Sequence, residues 1–275
     1  MLLLRFVRSV AFWTCFFSVN TFLFCAFPVT LLNPLWRALG IPETAMPMSA
    51  LIPYLARLIL FVGGVDVKID DKASSIKRSS VVYMYNHSSN LDAFVVQASV
   101  QCKFIYKKEL QLVPIFGWVM FLYNHISIDR GNREKAIESL NRAVRNVVNK
   151  HQNIAIAPEG TRSKTGELQP FKKGPFHLAL QAKATVVPIV IRGSFDLLPP
   201  KHLLLKKTSV LVTLLPPIEP LPDETPESLS SRVRAAFEDE LSTKTPPQCD
   251  VTHRSGTSSV VFLLLFWQLV AYFWR

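Results

Sequence analysis

The chain has 275 residues, of which 49% are apolar, and its 31 Lys and Arg against 20 Asp and Glu give a formal charge of +11. A chain of this size and apolar content can bury a sizeable core, and its charge favours an anionic partner such as a phosphorylated substrate or an acidic membrane face. The four cysteines lack any CxxC or Cys/His spacing, and the basic residues are dispersed without a recognition motif, which argues against a disulfide framework, a cysteine metal site and nucleic-acid binding.

The N-terminus begins MLLLRFVRSV and stays apolar over Ser9–Leu32, about 24 residues, which is long enough to cross a bilayer. No signal-peptide cleavage site follows, so we predict an uncleaved membrane element. A second apolar segment, Met48–Val62, is interrupted by a proline and an arginine and either returns the chain as a hairpin or lies in the interface. Arg5 and Arg8 favour a cytosolic N-terminus, so one crossing places the folded domain on the far side, whereas two or none keep it cytosolic.

Residues 65–241 alternate between strand and helix patterns, which predicts an α/β fold with a mostly parallel or mixed sheet covered by helices on both faces. Residues 1–64 are predicted to form N-terminal membrane-anchoring helices. The predicted strands are Val81–Tyr85, Lys103–Tyr106, His125–Ile128, Asn153–Ala157, Thr185–Ile191 and Val210–Leu215. The predicted helices are Leu91–Val100, Ile115–Leu122, Arg133–Lys150, Gly174–Lys183 and Pro226–Leu241.

The end of the chain is predicted to leave this domain through a polar linker, 242–259, and to finish in an apolar membrane tail, 260–275. At about 15 apolar residues, the tail is short for a full crossing, so a tilted or interfacial anchor is as good a description. A lipid-anchor signal at this end requires a polar spacer after its small residues, and the apolar run follows almost at once.

The stretch VVYMYNHSSNLDAF, Val81–Phe94, places a polar cluster directly after a buried strand. On one continuous helix His87 and Asp92 would point apart, but they converge if the first lies in the turn leaving the strand and the second in the first turn of the next helix. A carboxylate on one ring nitrogen fixes the tautomer and leaves the other nitrogen free as a base. In the alternative interpretation, Asp92 only caps its helix.

A second stretch, IAIAPEGTRSKTGELQPFKKG, Ile154–Gly174, also follows a short apolar strand. Its arginine can fork onto phosphate oxygens, its glycine allows close approach of the backbone, and its hydroxyl and lysine groups add donors. These residue types are suited to holding an oxyanion. A solvated basic loop is the competing interpretation.

NHSSNLD at Asn86–Asp92 resembles the NHxSxxD box of the glycerolipid acyltransferases, in particular the 1-acylglycerol-3-phosphate (PlsC-like) family. PEGTRS at Pro158–Ser163 resembles their EGTR box, ISIDR at Ile126–Arg130 their arginine-bearing block, and VVPIV at Val186–Val190 their fourth block. The order and spacing of all four blocks agree, over roughly residues 65 to 220.

The resemblance implies that His87 is a general base on the free hydroxyl of a lysophospholipid and that Asp92 orients it. The acceptor phosphate would pair with Arg162, with Arg130 as a second cation. The remaining predicted substrate-binding residues are Glu159, Gly160 and Thr161, which would shape the pocket, and Lys173, which is added on charge alone. Backbone N–H groups at the start of the helix after His87 are candidate oxyanion donors. The donor substrate would be acyl-CoA or an acyl-carrier protein, with neither cofactor nor metal required.

The predicted reaction is acyl transfer from acyl-CoA to the sn-2 hydroxyl of lysophosphatidate, giving phosphatidate, at the lipid bilayer. The expected location is the endoplasmic reticulum membrane in a eukaryote or the inner membrane in a bacterium. Another lysophospholipid or glycerol-3-phosphate is the alternative acceptor. A serine hydrolase using Ser88 or Ser89 lacks the GxSxG elbow. The third alternative is a non-catalytic membrane-bound lipid-binding protein.

Overall fold

The computed structural model describes residues 2–30, 35, 38–39, 47–73, 80–200, 202–206 and 208–243, all of which belong to one compact unit. The predicted tail, and the predicted linker from residue 244 onward, lie outside the described residues. The helices in chain order are α1 (Leu2–Thr30), α2 (Pro47–Val62), α3 (Asp92–Ser99), α4 (Phe116–Leu122), α5 (Arg133–Lys150), α6 (Gly174–Ala182), α7 (Ser194–Leu197) and α8 (Pro226–Ser242). The strands are β1 (Val65–Asp71), β2 (Val82–Tyr85), β3 (Lys103–Lys107), β4 (Ile126–Ile128), β5 (Ile154–Ile156), β6 (Val186–Arg192) and β7 (Thr208–Leu214).

The described strands form one sheet in the order β1-β7-β6-β2-β5-β3-β4. Strands β2 to β6 run parallel to one another, β7 is antiparallel to β6, and β1 pairs parallel with β7. Val82 lies opposite Ile154 on one side and Val186 on the other, and every residue of β2 is buried. A strand covered on both faces needs such a continuous apolar run. The predicted mostly parallel α/β sheet is confirmed.

Helices cover both faces of the sheet. On one face α5, α6 and α8 pack over the central strands, and α5 is fixed at its start because the side chain of Asn132 accepts a hydrogen bond from the backbone N–H of Lys135. The core on this face includes Val82, Met84, Val147, Ile156, Phe176, Val190, Val233 and Phe237. The other helices cover the second face, where α2 packs on α3, and α1 packs on both α2 and α4.

Helix α1 spans Leu2–Thr30 and includes most of the apolar run from Ser9 to Leu32. In the described part of the chain, Leu2–Pro28 is the one helix long and apolar enough to cross a membrane, and 28% of its most apolar window is buried in the protein. Phe16 makes ring contacts with Phe94 at 5.5 Å and Phe116 at 5.4 Å. One side of α1 is therefore packed on the domain, and the other side exposes large apolar residues.

The six predicted strands and five predicted domain helices match observed elements within a few residues. Three further elements were not predicted: β1, a 3-10 turn at Lys108–Leu112, and α7. The first is an edge strand with three acidic residues and a lysine among its seven residues, so it lacks the buried run that reveals a central strand. The other two are shorter than two helical turns, too short to show a helical period.

Candidate active site

The polar cluster lies where parallel strands end on the same edge of the sheet. His87 follows β2, the stretch from Glu159 to Arg162 follows β5, and Arg130 follows β4. Ligands of open α/β sheets usually bind in a crevice at the carboxyl ends of the strands. The fold thus brings three separate segments of the sequence to one edge.

His87 and Asp92 are in direct contact. The imidazole Nδ1 lies 2.8 Å from Oδ2 of the carboxylate, which is fully buried, while the histidine side chain is 20% exposed. With Nδ1–H donating to the carboxylate, the lone pair of the neutral ring is on Nε2, and no described residue hydrogen-bonds that atom. The predicted convergence of a strand-end turn and a helix start is what the structure shows, and it leaves one nitrogen available as a base.

A single oxygen of Asp92 accepts three hydrogen bonds. Besides the imidazole, Oδ2 accepts the backbone N–H groups of Ser88 and Ser89, each at 2.7 Å, while Oδ1 is buried without a described partner. Asp92 is the first residue of α3, whose N-cap residue, Leu91, makes no side-chain cap hydrogen bond, so the carboxylate of Asp92 closes the turn before the helix and contacts the histidine. These two amides and that of Leu91, which donates to Ser89 Oγ, are already engaged, so none of the three is the predicted oxyanion donor.

The other polar side chains of the turn anchor it to the domain. The amide of Asn86 both donates to and accepts from the backbone of Ile191, at 2.9 and 2.7 Å. Ser88 Oγ pairs with Ser194 Oγ at 3.1 Å, and Ser89 Oγ donates to the carbonyl of Leu198 at 2.9 Å. Both hydroxyls are thus engaged away from the imidazole, which argues against a serine nucleophile activated by His87.

The side chain of Glu159 connects the loop after β2 to the loop after β5 by accepting backbone hydrogen bonds. Its Oε1 accepts the N–H of His87 at 2.6 Å, and its Oε2 accepts the N–H of Gln169 at 2.9 Å. The carbonyl of His87 accepts the N–H of Ser163 at 2.7 Å. Burial raises the pKa of Glu159, and the two backbone donors lower it in partial compensation. This side chain was predicted to shape the substrate pocket, and that role stays a prediction; in the structure it joins the PEGTR loop to the backbone of His87.

Arg162 is held beside the turn from His87 to Asp92. Its Nη1 donates to Oδ1 of Asn90, two residues before Asp92. Gly160 adopts a left-handed φ of +71°, which glycine accepts without strain, and a Cβ there would lie 3.2 Å from Lys172 Cγ. The hydroxyl of Thr161 donates to the backbone carbonyl of Arg162 at 3.3 Å. The predicted oxyanion loop therefore presents its guanidinium at the edge where His87 lies.

Arg130 follows β4, an edge strand of the sheet, and is electrostatically coupled to Arg162. Partial burial lowers the pKa of its guanidinium, the phenol of Tyr85 opposes this, and the positive charge of Arg162 lowers the pKa further. Two guanidinium groups within electrostatic range of each other favour an anion between them. Tyr85 was not predicted for the site; its buried ring stands edge-to-face to the imidazole of His87, with centroids 5.7 Å apart.

Lys173 is directed elsewhere. Its Nζ forms an ion pair with Oε1 of Glu227 on α8 at 2.5 Å, and both side chains are mostly exposed. Lys172, the neighbouring lysine, is the one that lies over Gly160. The sequence alone does not show which of these two adjacent lysines faces the site, because their charge is the same.

The comparisons with known proteins agree with this geometry. Residues 66–192 match the family model described as Acyltransferase. This matched range contains His87, Asp92, Arg130 and Arg162. The chain is 38% identical over 159 residues to the 1-acyl-sn-glycerol-3-phosphate acyltransferase of Saccharomyces cerevisiae, covering 56% of this chain and 52% of that protein. It is 37% identical over 163 residues to the enzyme of that name from Limnanthes douglasii, covering 58% and 57%. The predicted resemblance is thereby confirmed.

The chain spans about half the length of the curated relatives it matches. Among solved structures, it is similar to the 1-acyl-sn-glycerophosphate (LPA) acyltransferase PlsC of Thermotoga maritima, with a TM-score of 0.72 and 19% identity over 88% of this chain and 99% of that one. At this identity the likeness shows the fold. The fold of this chain thus has a known structural counterpart.

Proposed function

We propose that this chain transfers a fatty acyl group from acyl-CoA to the sn-2 hydroxyl of 1-acylglycerol-3-phosphate, giving phosphatidate, at the surface of a membrane. The observation that carries the proposal is the pairing of His87 with Asp92 beside the guanidinium of Arg162. It supplies a base with a free Nε2 and a cation for a phosphate at the same edge of the sheet. The names of the matched relatives support the same acceptor.

The proposed chemistry needs one base and one well-placed nucleophile. His87 Nε2 removes the proton from the acceptor hydroxyl as that oxygen attacks the thioester carbonyl carbon. The tetrahedral intermediate collapses by breaking the carbon–sulfur bond, and the departing thiolate takes the proton from the imidazolium, leaving an ester and free CoA. Because a thioester is already activated, positioning and proton transfer are sufficient, and the proposal calls for neither metal nor cofactor.

Asp92 contributes to both halves of this cycle. Its carboxylate keeps the hydrogen on Nδ1 before the reaction and stabilises the imidazolium that forms during it. The three donors on Oδ2 hold that oxygen in place, so the ring orientation is set before the substrate binds. Preorganisation of this kind lowers the reorganisation needed during the reaction.

The proposed acceptor site is the pair of arginines at the sheet edge. A guanidinium presents several N–H donors in a plane that matches phosphate oxygens, and two such groups suit a doubly charged headgroup better than one. Arg162 is already oriented by Asn90, and Arg130 is electrostatically coupled to it. A phosphate held here places the glycerol hydroxyl of a lysophospholipid towards His87.

The membrane location rests on the exposed apolar surface around α1. Its outward side chains continue onto α4, where Trp118 contacts Phe24 at 5.7 Å. An open groove of about 490 Å³ between these helices is lined by Phe24, Gln111, Gly117, Trp118, Phe121 and Leu122. Trp118 is 50% exposed and Phe121 66% exposed. Large contiguous apolar patches on a protein surface are typical of membrane or partner contacts, and the proposed acceptor and product both remain in the bilayer.

The proposal is tested by supplying the purified chain with oleoyl-CoA or oleoyl-acyl-carrier protein and a panel of acceptors. The panel contains lysophosphatidate, lysophosphatidylcholine, lysophosphatidylethanolamine and glycerol-3-phosphate. We expect phosphatidate to form fastest from lysophosphatidate and oleoyl-CoA, and His87→Ala to abolish it. His177→Ala, which removes an exposed histidine on α6, is the control and should leave the rate unchanged. Faster product formation from another acceptor would overturn the proposed substrate.

A further inference from the structure

Helix α1 is hydrogen-bonded to residues 203 and 205, which lie at least 190 positions further along the chain. The N–H of Leu205 donates to Ser9 Oγ at 2.9 Å, and its carbonyl accepts Arg8 Nη2 at 3.1 Å. The indole N–H of Trp13 donates to the carbonyl of Leu203 at 3.2 Å. Both polar groups of one backbone residue are thus held by side chains of α1, and Ser9 and Leu205 are almost fully buried.

The same segment, residues 194–206, with residue 201 outside the described part, reaches the catalytic turn. It closes on itself because the N–H of Lys206 donates to the carbonyl of Leu197 at 3.0 Å. The next residue along, Leu198, accepts Ser89 Oγ at 2.9 Å, and Ser194 Oγ pairs with Ser88 Oγ at 3.1 Å. We call this segment the buried link after its buried residues Ser194, Leu197, Leu198 and Leu205, although Leu203 and Leu204 between them are exposed.

The link ends on the residues that hold the catalytic carboxylate. Ser88 and Ser89, whose hydroxyls contact the link, donate their backbone N–H groups to Asp92 Oδ2. A path of hydrogen bonds joined by short stretches of backbone therefore runs from α1 through residues 194–206 to the oxygen that orients His87. Ser88, Ser89 and Ser194 are buried, so an unmade bond would leave a desolvated polar group and shift its neighbours.

We propose that α1 is a positioning element for the reaction, acting through the buried link to hold the turn from His87 to Asp92 in its reactive geometry. This inference rests on the proposed acyl transfer. Ser9 and Ser194 are positioning residues, since neither touches a reacting atom. Weakening the link should therefore lower kcat, and because Arg162 donates to Asn90 within the same turn, the KM for the acceptor should rise with it while the KM for acyl-CoA stays unchanged. The helix proposed to meet the membrane would then also set the geometry of catalysis.

The experiment uses the whole 275-residue chain in lipid nanodiscs, with Ser9→Ala, Ser194→Ala and the double variant. Each single change should lower kcat about fivefold, the order expected for one buried hydrogen bond. Because both act through residues 194–206 on Ser88 and Ser89, whose N–H groups share Asp92 Oδ2, the double variant should fall by less than the product of the two single effects. Equal kcat for the wild type and both single variants would overturn the proposal.

Tyr123→Phe is the matched control. The phenol of Tyr123 donates to the carbonyl of Leu23 at 3.1 Å, which is also a hydrogen bond between α1 and the domain, but at the other end of the helix and away from the link. The loss of thermal stability should be similar for Tyr123→Phe and Ser9→Ala, whereas only the second should lower kcat. An equal fall in kcat for both would show that α1 matters only for stability and would overturn the proposal.

Hydrogen exchange separates this inference from the proposed function. In Ser9→Ala the backbone amides of Ser88 and Ser89, which donate to Asp92, should exchange faster than in the wild type, and in Tyr123→Phe they should not. This readout needs no turnover. If the wild type transfers no acyl group to any acceptor, only the proposed function fails. The exchange result still decides whether α1 holds the turn. Unchanged exchange of the Ser88 and Ser89 amides in Ser9→Ala would overturn the positioning proposal.

Discussion

At the scale of single residues, the site depends on one oxygen atom that three donors share. Asp92 Oδ2 accepts the imidazole and two backbone N–H groups, so a substitution there changes the tautomer of His87 as well as the shape of the turn. An aspartate that only capped its helix would be replaceable by asparagine, which also caps well. The two roles of Asp92 therefore predict different outcomes for the same substitution.

Asp92→Asn should lower kcat by about a thousandfold while the protein remains folded, because an amide can still accept the backbone bonds but favours the wrong imidazole tautomer. The measurement is the rate of phosphatidate formation from oleoyl-CoA and lysophosphatidate, alongside thermal unfolding. Glu167→Gln, which neutralises an exposed carboxylate in the PEGTR loop, is the control. Retention of more than about a tenth of the activity in Asp92→Asn would show that this residue only caps α3.

Arg162 and Lys173 were predicted together as substrate-binding residues, and the structure gives them different surroundings. Arg162→Ala should raise the KM for the acceptor by about tenfold to a hundredfold, since charge-assisted hydrogen bonds to phosphate are lost, with little change in the KM for acyl-CoA. Lys173→Ala should leave both values unchanged, because that side chain pairs with Glu227 and is mostly exposed. An effect of Arg162→Ala on acyl-CoA alone would make the phosphate assignment wrong.

At the scale of elements, the sequence predicted what a local pattern can encode. The central strands β2 and β5 are uninterrupted buried runs, and α5 has a clear apolar stripe, so each was recognisable from its own residues. The edge strand β1 has no such run. Nor could the sequence show that Glu159 bonds to the backbone of residues 72 positions before it and ten after it, since a backbone N–H has no residue type to recognise.

The outer strands β3 and β4 are joined by a histidine that must stay neutral. The N–H of Phe104 donates to Nδ1 of His125 at 2.9 Å, and burial lowers the pKa of this ring to about 3. Its unfolded-state pKa is about 6.5, so the unfolded chain binds the extra proton first. The stabilisation is therefore complete above pH 6.5 and is lost as the pH falls from there towards 3.

Between pH 6.5 and 5, the unfolding free energy should fall by up to about 1.4 kcal/mol per pH unit. His125→Asn keeps an acceptor for the Phe104 N–H without titrating and should remove most of this slope. Denaturant unfolding at several pH values measures it, with the exposed His177→Asn as the control. Burial alone would raise the pKa of Glu240 on α8, but its ion pairs with Lys72 and Arg192 lower that pKa overall, so it titrates below this window. The raised pKa of Glu159 contributes with the opposite sign in wild type and variant alike, so the difference between the two isolates His125. An unchanged slope in His125→Asn would contradict the assignment.

At the scale of the whole molecule, α1 combines two surfaces with different partners. Phe12, Phe16, Val19 and Leu23 are buried against the domain, whereas Phe17 and Phe24 are exposed. A helix that only crossed a bilayer would not bury a stripe of its residues against the α/β domain. Since one stripe is covered by protein, the exposed one and the neighbouring surface of α4 are the parts left for lipid.

Phe121→Glu should weaken binding of the chain to vesicles by at least about tenfold, because the substitution places a charge in an apolar surface proposed to enter the bilayer interface. The measurement is co-sedimentation with vesicles of neutral and anionic phospholipids. Leu221→Glu is the matched control, since Leu221 is 54% exposed but precedes α8 on the opposite face of the sheet. Because Phe121 lies away from His87 and its partners, turnover of a short-chain, water-soluble lysophosphatidate should be unchanged in both variants. Equal vesicle binding by the two variants would show that α4 does not face the membrane, and a loss of soluble-substrate turnover in Phe121→Glu would show that the substitution disturbs the fold.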